Sequence, residues 1–496
     1  MSFNSIAFAI FLPVLFLVYW IISGRDLKTQ NILLLIASYF FYGWWNWRFL
    51  FLLLFLSTAN YIIGIAIDKN DLQKRRKIWL FTGLFINLGV LGFFKYFNFF
   101  IDSFVDVISL AGYDLPKSSI KIILPLGISF YVFLSLSYII DIYKKTLKAN
   151  RNIIVVLLSL GFFPIILAGP IQRPSTLLPQ IAVRREFNYS RTVDGLRQIL
   201  WGLFVKVVIA DNLAFYADDI FLNYQQYKGS MLLLGTIFYS IQIYADFSGY
   251  SDMAIGTAKL FGFTIMRNFA YPYFSRDITE FWKRWHISLT TWFRDYLFLP
   301  LSFSVSWRIH SERVLLLKSD LFIYISASII IWFLTGLWHG ANYTFIVWGM
   351  IHGFFLILYR LQAKPRKRIF KRLKINNNSK IVIYIESFFT LCIVSIAWIF
   401  FRSESVGNAI NYLSELFSGS LFSVPAFSYS RLMCLVITIL SIIFIVIERI
   451  GKNEQYAISG IGAKLPGIAR WAVYYILVSM IFFFAGSGQK FIYFQF

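Results

Sequence analysis

Long apolar runs separated by short polar breaks make up most of the chain. The first covers Ile6 to Ile22, and others follow at about 30–44, 46–67, 78–98, 121–142, 196–212, 229–245, 320–338, 342–360, 381–400, 430–448 and 470–488. A helix rises about 1.5 Å per residue, so runs near twenty apolar residues match the hydrocarbon thickness of a bilayer. The pattern predicts an all-α, polytopic helical membrane protein with about 11 spans. Ile6 to Ile22 is too long and too aromatic for a cleaved leader, and no small-residue cleavage site follows it. It is expected to remain as the first helix.

Two stretches do not fit simple crossings. Residues 152–172, ending Pro164-Ile165-Ile166-Leu167-Ala168-Gly169-Pro170-Ile171-Gln172 before Arg173, lie between breaks that both read as cytoplasmic. A re-entrant segment satisfies that arrangement. Residues 246–300 are apolar but carry Asp246, Asp252, Arg276, Lys283, Arg284, Arg294 and Asp295. Charged or irregular backbone at membrane depth persists only where protein or a water-filled cavity surrounds it, so a cavity is expected there. No heptad, solenoid period or low-complexity linker interrupts the chain, and a single membrane-embedded domain over 1–496 is the economical expectation.

Composition reinforces the class. Of 496 residues 58% are apolar and 14% charged, more apolar surface than one soluble core can hide. Cys392 and Cys434 both lie inside apolar runs, where a thiol behaves as a small hydrophobe, which disfavours a disulfide, redox chemistry or a thiol nucleophile. The formal net charge is +23, and its distribution decides its meaning. Cations gather in the Arg25 to Lys28 turn, at Lys69 and Lys74 to Lys77, at Lys144, Lys145, Lys148 and Arg151, at Arg308, Arg313 and Lys318, and in a loop from Lys364 to Lys374. Alternate loops hold Asp102 and Asp106, then Asp211, Asp218 and Asp219, then Glu404 and Glu415. This is the positive-inside pattern, with the amino terminus outside and the Arg25 to Lys28 turn inside. It assigns the charge to topology and anionic headgroups rather than to nucleic acid.

The candidate chemistry lies in three segments. Asp246 and Asp252 are six residues apart, about 600° of helical rotation, so they face different sides; pairing with buried arginines, helix capping or support of a buried site are the readings open to them. In Phe281-Trp282-Lys283-Arg284-Trp285-His286, continuing to Arg294-Asp295-Tyr296, the residues Trp282, Trp285, Trp292 and Tyr296 fit an interfacial aromatic belt with Lys283 and Arg284 as anchors, a reading that does not account for His286. Gly336-Leu337-Trp338-His339-Gly340-Ala341-Asn342 sets an imidazole between small and aromatic residues where two apolar runs meet. A titratable group at that depth points to a functional site, and histidine exchanges protons near neutral pH. His339 is therefore the first candidate base, and Gly340 and Ala341 permit close approach of a substrate or another backbone. His310, beside Arg308 and Arg313, reads as solvated. His339 and His352 on one continuous helix would stand about 20 Å apart on different sides, and no histidines share close ligand spacing, so no metal site is expected.

Trp-His-Gly-Ala-Asn at 338–342, Trp-Gly-Met-Ile-His-Gly at 348–353, Arg-Trp-His-Ile-Ser-Leu at 284–289, Asp-Phe-Ser-Gly-Tyr-Ser-Asp at 246–252 and Ala-Gly-Pro-Ile at 168–171 together resemble the membrane-bound O-acyltransferase superfamily, in particular its bacterial alginate O-acetyltransferase type. The resemblance extends from the Phe-Asn-Ser opening and Tyr-Gly-Trp-Trp at 42–45 to beyond residue 353. It implies a helical body around a central tunnel in which a cytoplasmic thioester donor meets a hydroxyl acceptor from the other side. It also implies that His339 is the active-site histidine and His286 its second polar residue. The span count sets His339 near an outer turn, so a helix break ahead of the surface is expected.

A hydroxyl needs a base as it attacks a thioester, and a positioned histidine contributes about 10²–10⁴-fold. The oxyanion then needs donors, for which His286, Asn342 and a backbone N–H near Gly340 are candidates. No Gly-x-Ser-x-Gly elbow occurs, which disfavours an acyl-enzyme. Donor or substrate contacts are assigned to Trp338, Asn342, Asp246, Tyr250, Asp252, Arg173, Lys283, Arg284, Trp285, Arg294 and His352, and Arg276 joins the cations available for phosphate. The expected activity is acetyl transfer from acetyl-CoA, or from an acyl carrier protein thioester, with no tightly bound cofactor. The acceptor is an extracytoplasmic polysaccharide reached through a partner SGNH-type acetyltransferase, and the location is the bacterial inner membrane. D-alanyl transfer from a carrier protein to teichoic acid is the enzymatic alternative. A transporter or flippase of a lipid-linked sugar is the alternative from another class, although the inverted repeat common in transporters is not seen. Residues 401–429, with Phe422, Phe427 and Tyr429, would suit a docking surface.

Overall fold

The structure, a computed structural model, describes residues 1–22, 26–110, 112–113, 122–425, 430–460, 465–486, 489 and 491–492. Arg25, Phe427 and Tyr429, named above for the turn and the docking surface, lie outside the described residues. Among the described residues the chain is helical apart from one short hairpin, and nine helices are long and apolar enough to cross a membrane. The apolar helix Ile6–Ile21 and Ile128–Tyr143 are shorter.

The chain packs as two compact units, residues 1–203 with 250–266, and residues 204–249 with 267–496. The first unit begins with α1 (Ile6–Ile22), α2 (Leu27–Gly43), α3 (Arg48–Lys69), α4 (Gln73–Leu110) and α5 (Ile128–Tyr143). It continues through α6 (Ile153–Gly161), α7 (Phe163–Ile166) and α8 (Pro174–Ile181), and takes in most of α9 (Tyr189–Phe204). Buried polar locks tie it together. Arg185 Nε donates to Tyr19 Oη at 2.9 Å and its Nη2 to Asn31 Oδ1 at 2.8 Å, while Lys259 meets Asp194 at 2.6 Å. The stretch expected to be re-entrant is broken at Phe162 into α6, nine residues, and α7, four residues. At about 1.5 Å per residue neither piece can cross a bilayer.

The second unit opens with a π-turn, Val205–Ala210, and α10 (Asp211–Leu222). It then takes α11 (Gly229–Leu260) up to Gly249. Beyond residue 267 come α12 (Ile278–Arg284), α13 (Ile287–Phe293) and α14 (Leu299–Arg308), then the two-stranded hairpin of β1 (Arg313–Val314) and β2 (Leu317–Lys318). α15 (Ser319–His339), α16 (Tyr343–Arg372), α17 (Lys380–Arg402), α18 (Val406–Leu416), α19 (Arg431–Ile450) and α20 (Gly467–Phe484) complete it. α15 and α16 form a hairpin in close contact because glycines line the seam. A Cβ at Gly336 would lie 2.4 Å from the Phe345 carbonyl oxygen, and one at Gly349 would lie 2.3 Å from that of Trp332. Gly349 and Gly353 sit four apart, the small-residue spacing that lets membrane helices approach.

Several helices overrun the apolar runs that predict them. α4 contains Asp102 and position 106, α10 contains Asp211, Asp218 and Asp219, α18 contains Glu415, and the Lys364–Arg372 cations form the last turns of α16 rather than a loop. Charge sets where a helix leaves the hydrocarbon, whereas the helix ends only where its backbone ladder is interrupted. Asp246 and Asp252 likewise lie inside α11, which runs on to Leu260. Within the first unit Gly256 permits this, since a Cβ there would meet the Gly195 carbonyl oxygen at 2.5 Å.

Candidate active site

The second unit gathers three of the four histidines in one buried aromatic cluster. α15 ends at His339, because Gly340 leaves the helix in extended backbone at φ −176° and ψ 161°. The helix thus breaks directly after the imidazole. A Cβ at residue 340 would lie 2.2 Å from Phe345 Cε2, so only glycine fits against that ring. Asn342 then starts α16, accepting from Thr344 N at 3.0 Å and donating from Nδ2 to the Glu404 carbonyl at 2.9 Å. Its amide is engaged in capping the helix.

His339 and His352 are therefore not on one continuous helix. The turn at 340–342 folds α16 back along α15, and both imidazoles meet the ring of Trp348, His339 at 4.7 Å and His352 at 5.0 Å between centroids. His339 also packs edge-on against Trp338 at 4.7 Å and Phe401 at 5.1 Å. Trp338 in turn lies 6.0 Å from His286. Three imidazoles thus alternate with two indoles, and His286, His339 and His352 are 0%, 3% and 0% exposed.

His286 occupies the junction between α12 and α13 in left-handed backbone, φ 41° and ψ 53°. That conformation is unfavourable for a residue with a Cβ and persists only where the surroundings impose it. Asn268 imposes it, its carbonyl accepting from Ile287 N at 2.8 Å and its Oδ1 lying 2.9 Å from His286 Nδ1. The same Oδ1 accepts from Ser288 Oγ at 2.9 Å and Ser288 N at 3.4 Å, which identifies it as the amide oxygen. His286 Nδ1 must then carry the proton, and the neutral ring offers Nε2 as an acceptor. His286 lies outside the nine apolar helices, and burial pushes its imidazole down to about 3, so it is neutral at physiological pH. Phe247 packs on it edge to face at 4.7 Å. His352 has the opposite tautomer, since its Nδ1 accepts from Trp282 Nε1 at 3.3 Å and its proton sits on Nε2.

The tryptophans expected at an interfacial belt are core residues instead. Trp282, Trp285 and Trp292 are at most 5% exposed, and Trp285 stacks on Phe281 at 5.5 Å and packs on Trp398 at 5.0 Å. Trp282 lies 4.9 Å from His352, and Trp285 reaches the cluster through Trp398, 6.4 Å from His352, so these two wall the histidines rather than a headgroup layer. Asp246 pairs with a lysine rather than an arginine. Lys206 Nζ lies 2.5 Å from Asp246 Oδ1 and 2.6 Å from Asp211 Oδ1, and Asp246 Oδ2 accepts from Ile492 N at 2.7 Å. Lys206 and Asn268 lie outside the motifs, and Phe247, although inside the 246–252 motif, was not singled out, yet a lysine inside the apolar run 201–210 is itself the signal of a buried ionic site.

Among the remaining candidates, Arg284 is held by Glu280 at 2.5 Å, Arg294 pairs with its neighbour Asp295 at 2.8 Å at the surface, and Lys283 is exposed. Tyr250, Asp252 and Arg173 belong to the first unit. There Tyr250 packs on Phe3 at 4.8 Å, Asp252 accepts from Gln198 at 2.7 Å, and Arg173 is half-buried at the start of α8. His310 is exposed. Cys392 and Cys434 are both free thiols. Among the described residues no group of three His, Cys, Asp or Glu side chains can hold a metal ion.

Residues 151–403, a span that includes all three clustered histidines, match the membrane-bound O-acyltransferase (MBOAT) family. The chain is 38% identical over 461 residues to the probable alginate O-acetylase AlgI of Pseudomonas aeruginosa, covering 92% of this chain and 82% of that one. It is 37% identical over 459 residues to the protein of the same name in Azotobacter vinelandii, covering 92% and 86%. It is 32% identical over 434 residues to the peptidoglycan O-acetyltransferase of Helicobacter pylori, covering 82% and 77%. A polytopic helical body and relatives named for acetyl transfer agree with the match, and the chain belongs to the membrane-bound O-acyltransferase family.

Proposed function

We propose that this multi-pass membrane enzyme moves an acetyl group from cytoplasmic acetyl-CoA across the bacterial inner membrane toward the hydroxyls of an extracytoplasmic polysaccharide, with His339 as base. The relatives' names, alginate O-acetylase and peptidoglycan O-acetyltransferase, support the acetyl group and the glycan. The observation that carries the chemistry is the placement of His339 at the end of α15, buried beside two further imidazoles.

In this reading the acceptor oxygen attacks the thioester carbonyl carbon while its proton passes to His339. The tetrahedral intermediate then collapses, the carbon–sulfur bond breaks, and the proton returns to the departing thiolate. The residue tautomers divide the other roles. His286, with Nδ1–H spent on Asn268, offers an acceptor at Nε2 and so orients the incoming hydroxyl instead of donating to the oxyanion. His352, with its proton on Nε2, has the polarity a developing negative charge requires. Indoles and phenyl rings around the cluster exclude water, which limits hydrolysis of the thioester. An exported acetyltransferase partner of SGNH type would receive the group and complete delivery to the glycan.

The test is transfer of labelled acetyl from acetyl-CoA by the purified protein in nanodiscs, supplied with envelope glycan and membrane-associated partners. His339→Ala is expected to abolish transfer, a loss of at least about 10²-fold, while remaining folded in the membrane. A folded His339→Ala protein that retains transfer would remove the residue from the mechanism.

A further inference from the structure

A cleft of about 370 Å³ opens at the end of α16 remote from its histidine. Its wall is cationic, with Arg276 just ahead of α12 and Arg366, Lys367 and Lys371 in the last turns of α16. Both guanidiniums are fixed in place. Glu386 of α17 forms ion pairs with Arg276 and with Arg366. Asn377 accepts from Arg276 Nη2 at 2.6 Å on its carbonyl and 2.8 Å on its side-chain oxygen, and from Arg366 Nη2 at 3.3 Å. Lys367 and Lys371 are exposed, and among the described residues neither forms an ion pair. Asp277 lines the wall, Glu386 stands behind both guanidiniums, and Glu280 accepts from Arg276 N at 2.8 Å while paired with Arg284, so the four wall cations outnumber the two carboxylates left to face them and the cleft is positive.

Pre-positioned guanidiniums beside free ammonium groups match the charge and geometry of phosphate. The volume is at the low end of small-ligand pockets, which run from about 300 to 1,000 Å³, and suits a phosphorylated headgroup rather than a whole large ligand. The cations also belong to the cytoplasmic set under the positive-inside pattern. We propose that this cleft binds the phosphate end of an anionic ligand. Two sources share that chemistry, a soluble phosphorylated thioester donor and an anionic phospholipid. The first rests on the acetyl-donor reading above, and it carries a geometric demand. Arg366 follows His352 by fourteen residues, about 21 Å of helix, so phosphate and thioester must stand at opposite ends of an arm of that order.

Lys367→Ala/Lys371→Ala and the charge reversal Lys367→Glu/Lys371→Glu alter exposed side chains only, and a thermal melt in nanodiscs checks that both remain folded. One arm measures binding of desulfo-coenzyme A in phosphatidylcholine nanodiscs; the other measures phosphatidylglycerol retained by the protein from mixed vesicles, by native mass spectrometry. Weakening of about tenfold or more in the first arm, deeper for the reversal, supports a soluble donor. Weakening in the lipid arm alone supports a phospholipid. Unchanged binding in both arms for the folded reversal variant overturns the proposal. Wild-type consumption of acetyl-CoA with both arms unchanged leaves the donor reading standing without the cleft. Absence of consumption with weakened lipid retention does the reverse.

Discussion

Replacement of Lys206 by methionine isolates the buried ionic site beside the histidine cluster. Lys206 and Asp246 are 2% and 3% exposed, and one ammonium nitrogen lies 2.5 Å and 2.6 Å from an oxygen of Asp246 and of Asp211. Those two distances leave the carboxylate oxygens no more than about 5 Å apart. Once the cation is gone, the two charges repel by about 3 kcal/mol at an effective dielectric constant near 20. Breaking a buried pair by removing one partner costs about 3–5 kcal/mol in measured cases, which agrees with that figure. Lys206→Met alone is therefore expected to destabilise the protein by about 3–5 kcal/mol. The triple variant Lys206→Met/Asp211→Asn/Asp246→Asn leaves no buried charge, and the asparagine at 246 keeps an acceptor for Ile492 N–H. It should return to within about 1 kcal/mol of the parent. Denaturant titration in mixed micelles, followed by tryptophan fluorescence, reads both values. Acetyl transfer should follow stability, because Asp246 adjoins Phe247 and the Phe247 ring lies 4.7 Å from His286. A single variant as stable as the parent, or a triple variant no better than the single, would refute the electrostatic account.

Gly340→Ala drives a Cβ to within 2.2 Å of Phe345, which packs on Phe401 at 4.9 Å, and Phe401 packs on His339 at 5.1 Å. Overpacking of this kind costs about 1–3 kcal/mol, and transfer should fall while membrane insertion is retained, with Phe345→Leu restoring part of it; full activity in Gly340→Ala would show that the contact is dispensable. His286 carries a pH prediction. Its folded pKa of about 3 lies below the ordinary imidazole value of 6.5, so the unfolded chain gains a proton first as the pH falls. Its contribution to stability is fully present above about pH 6.5 and is lost progressively toward pH 3. In unfolding titrations across that window His286→Gln should take up about one proton fewer than the parent, and equal slopes would contradict the neutral assignment. His310→Ala, on an exposed residue ahead of β1, should change stability by less than about 0.5 kcal/mol and leave transfer intact. Loss of transfer there would place function on the hairpin.

The membrane class and most spans were legible because apolar length is a one-dimensional property. Helix ends were not, since α16 runs from Tyr343 to Arg372 straight through Pro365, a residue without an N–H that composition would mark as a stop. The tryptophans show the same limit from the side of packing. A Trp-rich segment with lysine and arginine reads equally as a membrane interface or as a wall, and only burial of Trp282, Trp285 and Trp292 separates the two.

His339 was legible because an imidazole flanked by small residues is rare in a greasy run. Its neighbours were not, because the contacts that define the cluster are long in sequence: Trp338 to His286, and His339 to Phe401. The separation of about 20 Å inferred for His339 and His352 assumed a continuous helix, and a turn of three residues removes that assumption. Gly336, Gly349 and Gly353 were the available sign that two helices close on each other there, since each stands where a side chain would collide with the opposite helix. The glycines that bring α15 against α16 therefore also bring the two imidazoles to the same tryptophan ring. A substitution on this seam should disturb the site as much as the packing, and the two effects arise from one displacement.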